Sequence, residues 1–185
     1  MPVIKTDKES IIKKSIHLFK TQGYYNTTMA DIGKATGLIK GSIYHHFKSK
    51  EDLALSCLVY IHQYFTENIY SVAYAEDLTD KEKLKKFTKG VEEYFLKSEG
   101  GCLLGNFALE VSNNIPLLKQ EIMLYFQNWE KALHEILKQQ LGEIKAKETA
   151  KQIVANTQGS IMMMRLFDET ASFTKLNRDV LKLIT

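Results

Sequence analysis

Residues equipped for covalent or metal chemistry are sparse in this chain and poorly spaced for it. His134-Glu135 opens like a zinc-binding HExxH pair, but Lys138 stands where the second histidine belongs, and His45 and His46 are adjacent rather than spaced as ligands. No GxGxxG, GxxxxGK-S/T or GxSxG occurs, and Gly100-Gly101-Cys102-Leu103-Leu104-Gly105 reads as a loop feeding a helix rather than a phosphate cradle. The expectation is a protein that is not an enzyme and holds no metal or cofactor. What is concentrated is positive charge. Residues 1–53 hold nine lysines (Lys5, Lys8, Lys13, Lys14, Lys20, Lys34, Lys40, Lys48 and Lys50) against five acids, a net +4, whereas the whole chain carries only +3. An excess confined to the first quarter is what docking on phosphates requires, with a solvated lysine-rich face as the plain alternative. Cys57 and Cys102 are too few for a disulfide framework, and free thiols fit a reducing cytoplasm. No apolar run reaches the roughly 18 residues of a membrane span, and MPVIKTDKES lacks the apolar stretch of a signal peptide.

The elements that would position these residues are helices. Two prolines and ten glycines are too few for the turns of an all-β sandwich, and sustained period-two alternation is absent. Ile11, Ile12, Leu18 and Phe19 share a face over about Lys8 to Gln22, and Gly23 stops that helix. Thr28, three residues before Asp31, forms a capping box for a short helix that Gly37 closes, and a second short helix follows over about Lys40 to Phe47. Two short helices around a glycine turn make a helix-turn-helix. Its shared core is expected from Ile32, Ala35, Leu38, Ile43 and Phe47, which leaves Lys40, Ser42, Tyr44 and His45 towards solvent; Gly41 would let the backbone approach a major groove. Helical periodicity resumes from Lys50 to about Ala75 and again over Lys81–Lys97, Cys102–Ser112, Pro116–Leu141, Lys145–Phe167 and Leu176–Ile184. The expected fold is all-α with about nine helices: a three-helix DNA-binding unit over residues 1–50 and a larger helical bundle over 51–185 for ligand binding and dimerisation.

The stretch TTMADIGKATGLIKGSIYHHFKSKEDL, Thr27 to Leu53, resembles the TetR family of one-component transcriptional regulators. The resemblance implies a repressor that binds a palindromic operator on double-stranded DNA as a homodimer and is released by a small-molecule effector. It further implies that Tyr44 and His45 touch phosphate or base edges and that Thr28 and Lys50 bind phosphates; the plain alternatives are Thr28 as a cap only, Tyr44 as half core, and His45 and His46 as solvated. The chain departs from the pattern at Ile39, which cannot cap the recognition helix, and in having no arginine in this segment, so guanine reading would fall to Lys40.

The resemblance also implies an effector cavity in the bundle, where Tyr94, Phe107, Phe126, Trp129 and Met163 are the expected walls and Glu110, on the helical face of Phe107 and Leu103, a polar anchor. Plain core is the alternative. For the dimer it implies the last two helices, with Ile161, Met164, Phe167, Leu176, Val180 and Ile184 along the apolar stripe, and the alternative is that both helices cover their own bundle. Two rival functions remain open. One is a thiol-based redox or electrophile sensor acting through Cys102, which follows two glycines at a helix start, where the positive dipole end favours a thiolate. The other is a small-molecule binding protein that does not use DNA.

Overall fold

Helix α1, Lys8–Gln22, is the first element of the computed structural model, which describes residues 8–184; Lys5 of the basic segment lies outside them. Its buried row of Ile11, Ile12, Ser15 and Phe19 follows the expected spacing, and Gly23, at a φ of 82°, ends it with its N–H on the Phe19 carbonyl at 3.1 Å. Helices α2 (Met29–Thr36) and α3 (Lys40–His46) come next, then α4 (Lys50–Asn68). The chain leaves α4 earlier than periodicity suggests and tightens into a 3-10 turn, Tyr70–Tyr74, that buries Tyr70 and Ala73. Helix α5 (Asp80–Leu96) opens on a second capping box, Thr79 with Glu82. Helices α6 (Leu103–Val111), α7 (Pro116–Leu141), α8 (Glu143–Phe167) and α9 (Ala171–Leu181) complete nine helices, with no strand among the described residues. The last helix begins at Ala171 rather than Leu176 because Asp168, at a φ of 52°, already turns the chain.

The helices form two compact units whose boundary differs from the expected one at residue 50. The first takes the chain up to Ile61 together with Leu103–Ile122; the second takes His62–Cys102 and the chain from Met123 onward. Helix α6 therefore belongs with the helix-turn-helix. In the first unit α1 packs on α2 and α6, and α2 packs on α3, around Ile11, Phe19, Ile32, Ile43, Phe47 and Phe107. In the second, α9 packs on α5 and α8, and the core is aromatic: Phe65, Tyr70, Phe87, Phe95, Tyr125, Trp129 and Phe173. Burial at about 25 cal/mol per Å² makes such side chains the main source of stability in both units.

Candidate functional site

The loop from α1 to α2 ends at Thr28, whose hydroxyl accepts from the Asp31 N–H at 3.2 Å while the Thr28 N–H donates to Asp31 Oδ2 at 2.9 Å. The hydroxyl hydrogen is also spent on Asp31, at 2.6 Å, so Thr28 serves as the cap and has no donor left for a phosphate. These bonds hold the Asp31 carboxyl below the usual carboxylate range. Helix α2 buries Met29, Ile32, Gly33 and Thr36, which repeat at helical spacing; Ala35, expected in the core, lies off that face and is exposed. Gly37, at a φ of 74°, makes the turn, and the Leu38 N–H closes it on the Gly33 carbonyl at 2.9 Å. A side chain at Gly33 would place its Cβ 2.8 Å from the Leu38 carbonyl oxygen, so this turn needs glycine there as well.

Helix α3 is held by Ile43 and Phe47, both buried, while Lys40, Gly41, Tyr44 and His45 are exposed and Ser42 is partly so. The Lys40 ammonium lies 5.8 Å from the centre of the Tyr44 ring, one turn away. A Cβ at Gly41 would meet nothing within 4 Å, which leaves this backbone open to close approach. Ile39 is the N-cap and makes no side-chain cap bond, as expected; it is also 77% exposed, a large apolar group at the head of α3 that the sequence had marked only as a missing cap.

Lys50 and Glu110 both turn towards the α1–α2 loop. The Lys50 ammonium donates to the carbonyls of Tyr24 (2.9 Å) and Thr27 (3.1 Å) and sits 4.3 Å from the centre of the Tyr24 ring. Burial pushes its pKa down, and Glu110 opposes the shift. The Glu110 carboxylate accepts the part-buried Tyr24 N–H at 2.7 Å. Gly23 makes room for it, since a Cβ there would lie 2.9 Å from both carboxylate oxygens. Phe107, on the same helix, packs on Phe19 and Tyr24 with ring centres 5.4 and 5.6 Å apart. Phe107 and Glu110 thus brace the α1–α2 loop within the first unit. Of the other lysines, Lys20 is buried and Lys13 pairs with Glu9 at 2.7 Å, which leaves Lys8, Lys14, Lys34, Lys40 and Lys48 as exposed positive charge on this unit.

Comparison with known proteins agrees with this arrangement. Residues 11–57 match the family described as bacterial regulatory proteins, tetR family, and residues 81–179 match the C-terminal domain of LmrA/YxaF-like transcriptional regulators. The transcriptional regulator LmrA of Bacillus subtilis (strain 168) is 30% identical over 161 residues, 84% of this chain and 85% of LmrA. The transcriptional repressor DhaR of Mycobacterium sp. (strain GP1) is 26% identical over 165 residues, 86% of this chain and 82% of DhaR. A TetR transcriptional regulator from Legionella pneumophila has the same fold across 100% of both chains, with a TM-score of 0.88 at 24% identity. The chain belongs to the TetR family.

In this TetR-family regulator the helix-turn-helix is the DNA-binding element. The residues expected around an effector are dispersed. Tyr94 and Trp129 meet in the aromatic core of the second unit, with Phe65 at its centre: its ring lies 4.7 Å from Tyr94, 5.2 Å from Tyr125 and 5.7 Å from Trp129. Phe126 is only half-buried, and Tyr125 takes the inward position; the i, i+4 relation of Tyr125 to Trp129 was the readable signal for it. Phe65 and Tyr70 come from a distant stretch and left no such signal. Met163 is 40% exposed on α8. Cys102 precedes α6 by one residue and is 4% exposed, so its thiol lacks the access that a sensor cysteine needs. Arg165 donates to the Gly100 carbonyl at 3.3 Å. Among the described residues no group of three histidines, cysteines or acids is placed to hold a metal ion, and no helix is long and apolar enough to cross a membrane.

The residues of the expected dimer stripe differ in exposure. Ile161, Val180 and Ile184 are buried inside the second unit, and Met164 and Leu176 are half-buried, because α9 packs against that side of α8. Roughly opposite runs an exposed row of Gly159, Met162, Met163, Leu166 and Phe167, and a Cβ on Gly159 would meet nothing within 4 Å. Phe167 is 61% exposed.

Proposed function

We propose that this regulator is a homodimeric repressor whose two α3 helices enter successive major grooves of a palindromic operator, and that a small-molecule effector bound in the second unit releases the DNA. The observation that carries the reading is α3 itself: Ile43 and Phe47 fasten one side, while Ile39, Lys40, Gly41, Tyr44 and His45 stand out together. Ser42 sits at the edge of that surface. Phosphate contacts fall to exposed lysines such as Lys34 and Lys48, in place of Thr28 and Lys50. The exposed apolar row on α8 supports the dimer, because a monomer gains nothing by exposing Met162, Met163, Leu166 and Phe167 side by side. That one relative is named a transcriptional repressor supports the sign of regulation.

The test is a mobility shift with the DNA adjoining the protein's own gene, titrated with salt. Binding is expected to be saturable and to weaken steeply with salt, by about 0.9 counterions per phosphate contact. Lys40→Ala and Tyr44→Ala are expected to cost more on the specific fragment than on random duplex. Equal affinity for both duplexes, or binding insensitive to salt, refutes the reading.

A further inference from the structure

Ile39 is a large apolar residue of the helix-turn-helix that the packing of the first unit leaves unused. It is 77% exposed, while Leu38 before it is half-buried and Ile43 after it is fully buried. Its backbone is extended, at a φ of −69° and a ψ of 150°, so the side chain is not carried onto the face that Ile43 buries. Nor does the side chain serve the helix: it makes no cap bond, although Ser, Thr, Asp or Asn there would favour the helix by about fivefold. The backbone nevertheless fixes its place, because the N–H groups of Ser42 and Ile43 donate to the Ile39 carbonyl at 2.9 and 3.4 Å. A lone exposed isoleucine elsewhere on a surface calls for no account. This one stands at the head of α3, within the segment that matches the tetR family, where docking of a helix-turn-helix turns the first residues of its second helix towards base edges.

We infer that Ile39 is a specificity-determining residue that reads the C5-methyl group of a thymine in the major groove of each operator half-site. The inference rests on the repressor reading above and names a base that the operator contains. Every base pair presents donors or acceptors in the major groove, but the thymine methyl is the one apolar group to project there. An isoleucine set against an amino or carbonyl edge strips its water and returns no hydrogen bond. Against a methyl, both partners leave water and nothing polar is left unpaired. Isoleucine is short, so this contact needs the helix backbone near the groove floor. Gly41 keeps no side chain in the way, and a Cβ there would meet nothing of the protein within 4 Å. The Lys40 ammonium lies 5.8 Å from the centre of the Tyr44 ring, one turn on, and leaves Ile39 uncovered. A β-branched side chain also has few rotamers, so little freedom is lost when it is seated.

The test does not depend on knowing the operator beforehand. The full chain selects duplexes from a randomised pool, and in the tightest-binding one each thymidine is replaced in turn by deoxyuridine, which keeps the base pairing and lacks only the methyl. At one thymidine of a half-site the wild type is expected to bind about fourfold more weakly, and roughly 15-fold when its symmetry mate is replaced as well, the worth of one and of two buried methyl groups. Ile39→Ala is expected to bind the thymidine duplex more weakly and to lose the dependence on the methyl to within about 1.5-fold. Ile39→Val keeps a branched apolar side chain and is expected to retain most of it. Both variants are expected to melt with the wild type, because the side chain they shorten is exposed. Equal wild-type affinity for the thymidine duplex and every deoxyuridine duplex overturns the proposal and leaves the repressor reading standing. So does a selected sequence without thymine, or an Ile39→Ala protein that keeps the full dependence, since another residue then reads the methyl. A chain that selects no duplex at all loses the repressor reading and the proposal with it.

Discussion

Replacing Glu110 tests whether α6 holds the DNA-binding unit in order. Its carboxylate accepts the Tyr24 N–H at 2.7 Å, a charge-assisted, part-buried bond. Such bonds contribute about 1.5–3 kcal/mol, and deletion leaves the N–H unpaired, so Glu110→Ala is expected to cost about 2 kcal/mol. For a chain of this length that is a fall in melting temperature of about 4–8 °C. Glu110→Gln keeps an acceptor without the charge and is expected to lose roughly half as much. The loop at stake sets the start of α2, because Thr27 Oγ1 donates to the Gly23 carbonyl at 2.7 Å and Lys50 fastens the Tyr24 and Thr27 carbonyls. If operator binding must rebuild that loop, about 2 kcal/mol becomes a loss of roughly 30-fold in affinity. Thermal denaturation by circular dichroism and a mobility shift read the two effects. A double-mutant cycle with Lys50→Met is expected to give a coupling above about 0.5 kcal/mol, since both residues hold one loop. Glu110→Ala melting within about 1 °C of wild type, with unchanged operator affinity, would refute the brace.

Gly33→Ala, whose Cβ would lie 2.8 Å from the Leu38 carbonyl, is expected to cost about 1–3 kcal/mol and to abolish operator binding. Gly37→Ala, with nothing within 4 Å, pays only left-handed strain of about 1–2 kcal/mol; comparing the melts of the two variants checks this order. Phe167→Glu on the exposed row of α8 is expected to shift sedimentation towards a monomer while Ile161→Val, inside the unit, leaves the dimer intact. The lowered carboxyl pKa values of Asp31 and Glu82, each from hydrogen bonds with its capping threonine, make the unfolded chain take up protons first as pH falls. Their stability is therefore present above the usual carboxylate range and lost as pH drops through the lowered values; melting curves of Asp31→Asn and Glu82→Gln are expected to show a flatter acid limb. Ile39→Ser supplies the missing cap and is expected to stabilise α3 by about 1 kcal/mol yet weaken operator binding, and a gain in affinity would remove Ile39 from the interface.

Local signals were legible wherever the chain itself supplies both partners. Thr28 with Asp31, Gly37 at the turn, Ile39 without a cap and the nine-helix order are all statements about residues a few positions apart, and the structure carries each of them. Side-chain destinations across long separations were not. Glu110 shares a helical face with Phe107 and Leu103, but periodicity says only that the three point together, not at what; they meet α1 and the α1–α2 loop. The same limit applies to Ile161, Val180 and Ile184, which are buried within the second unit, where α9 packs on α8. An apolar row on the last helix of a chain covers its own neighbours first, and only the row left over on α8 is open.

Three residues expected at the DNA, Thr28 and Lys50, or at the ligand, Glu110, all serve backbone groups of the segment between Gly23 and Asp31. This has a physical logic. A short helix pair has a small core, and the loop that enters it carries polar groups that burial would otherwise leave unpaired. Charged side chains satisfy several such groups at once, as Lys50 does for two carbonyls. The cost is that specificity must come from what remains on α3. Without arginine, the bidentate guanine contact is absent from the segment, and the exposed set of Ile39, Lys40, Gly41, Tyr44 and His45 offers one lysine, an aromatic hydroxyl, an imidazole and an apolar side chain. An apolar group in a major groove is matched by the thymine methyl, and an open glycine backbone rewards close approach. On the proposed reading, discrimination by this helix is expected to rest on fit against thymine-bearing steps and groove shape more than on paired hydrogen bonds to guanine, with the lysines expected to fix register on the phosphates.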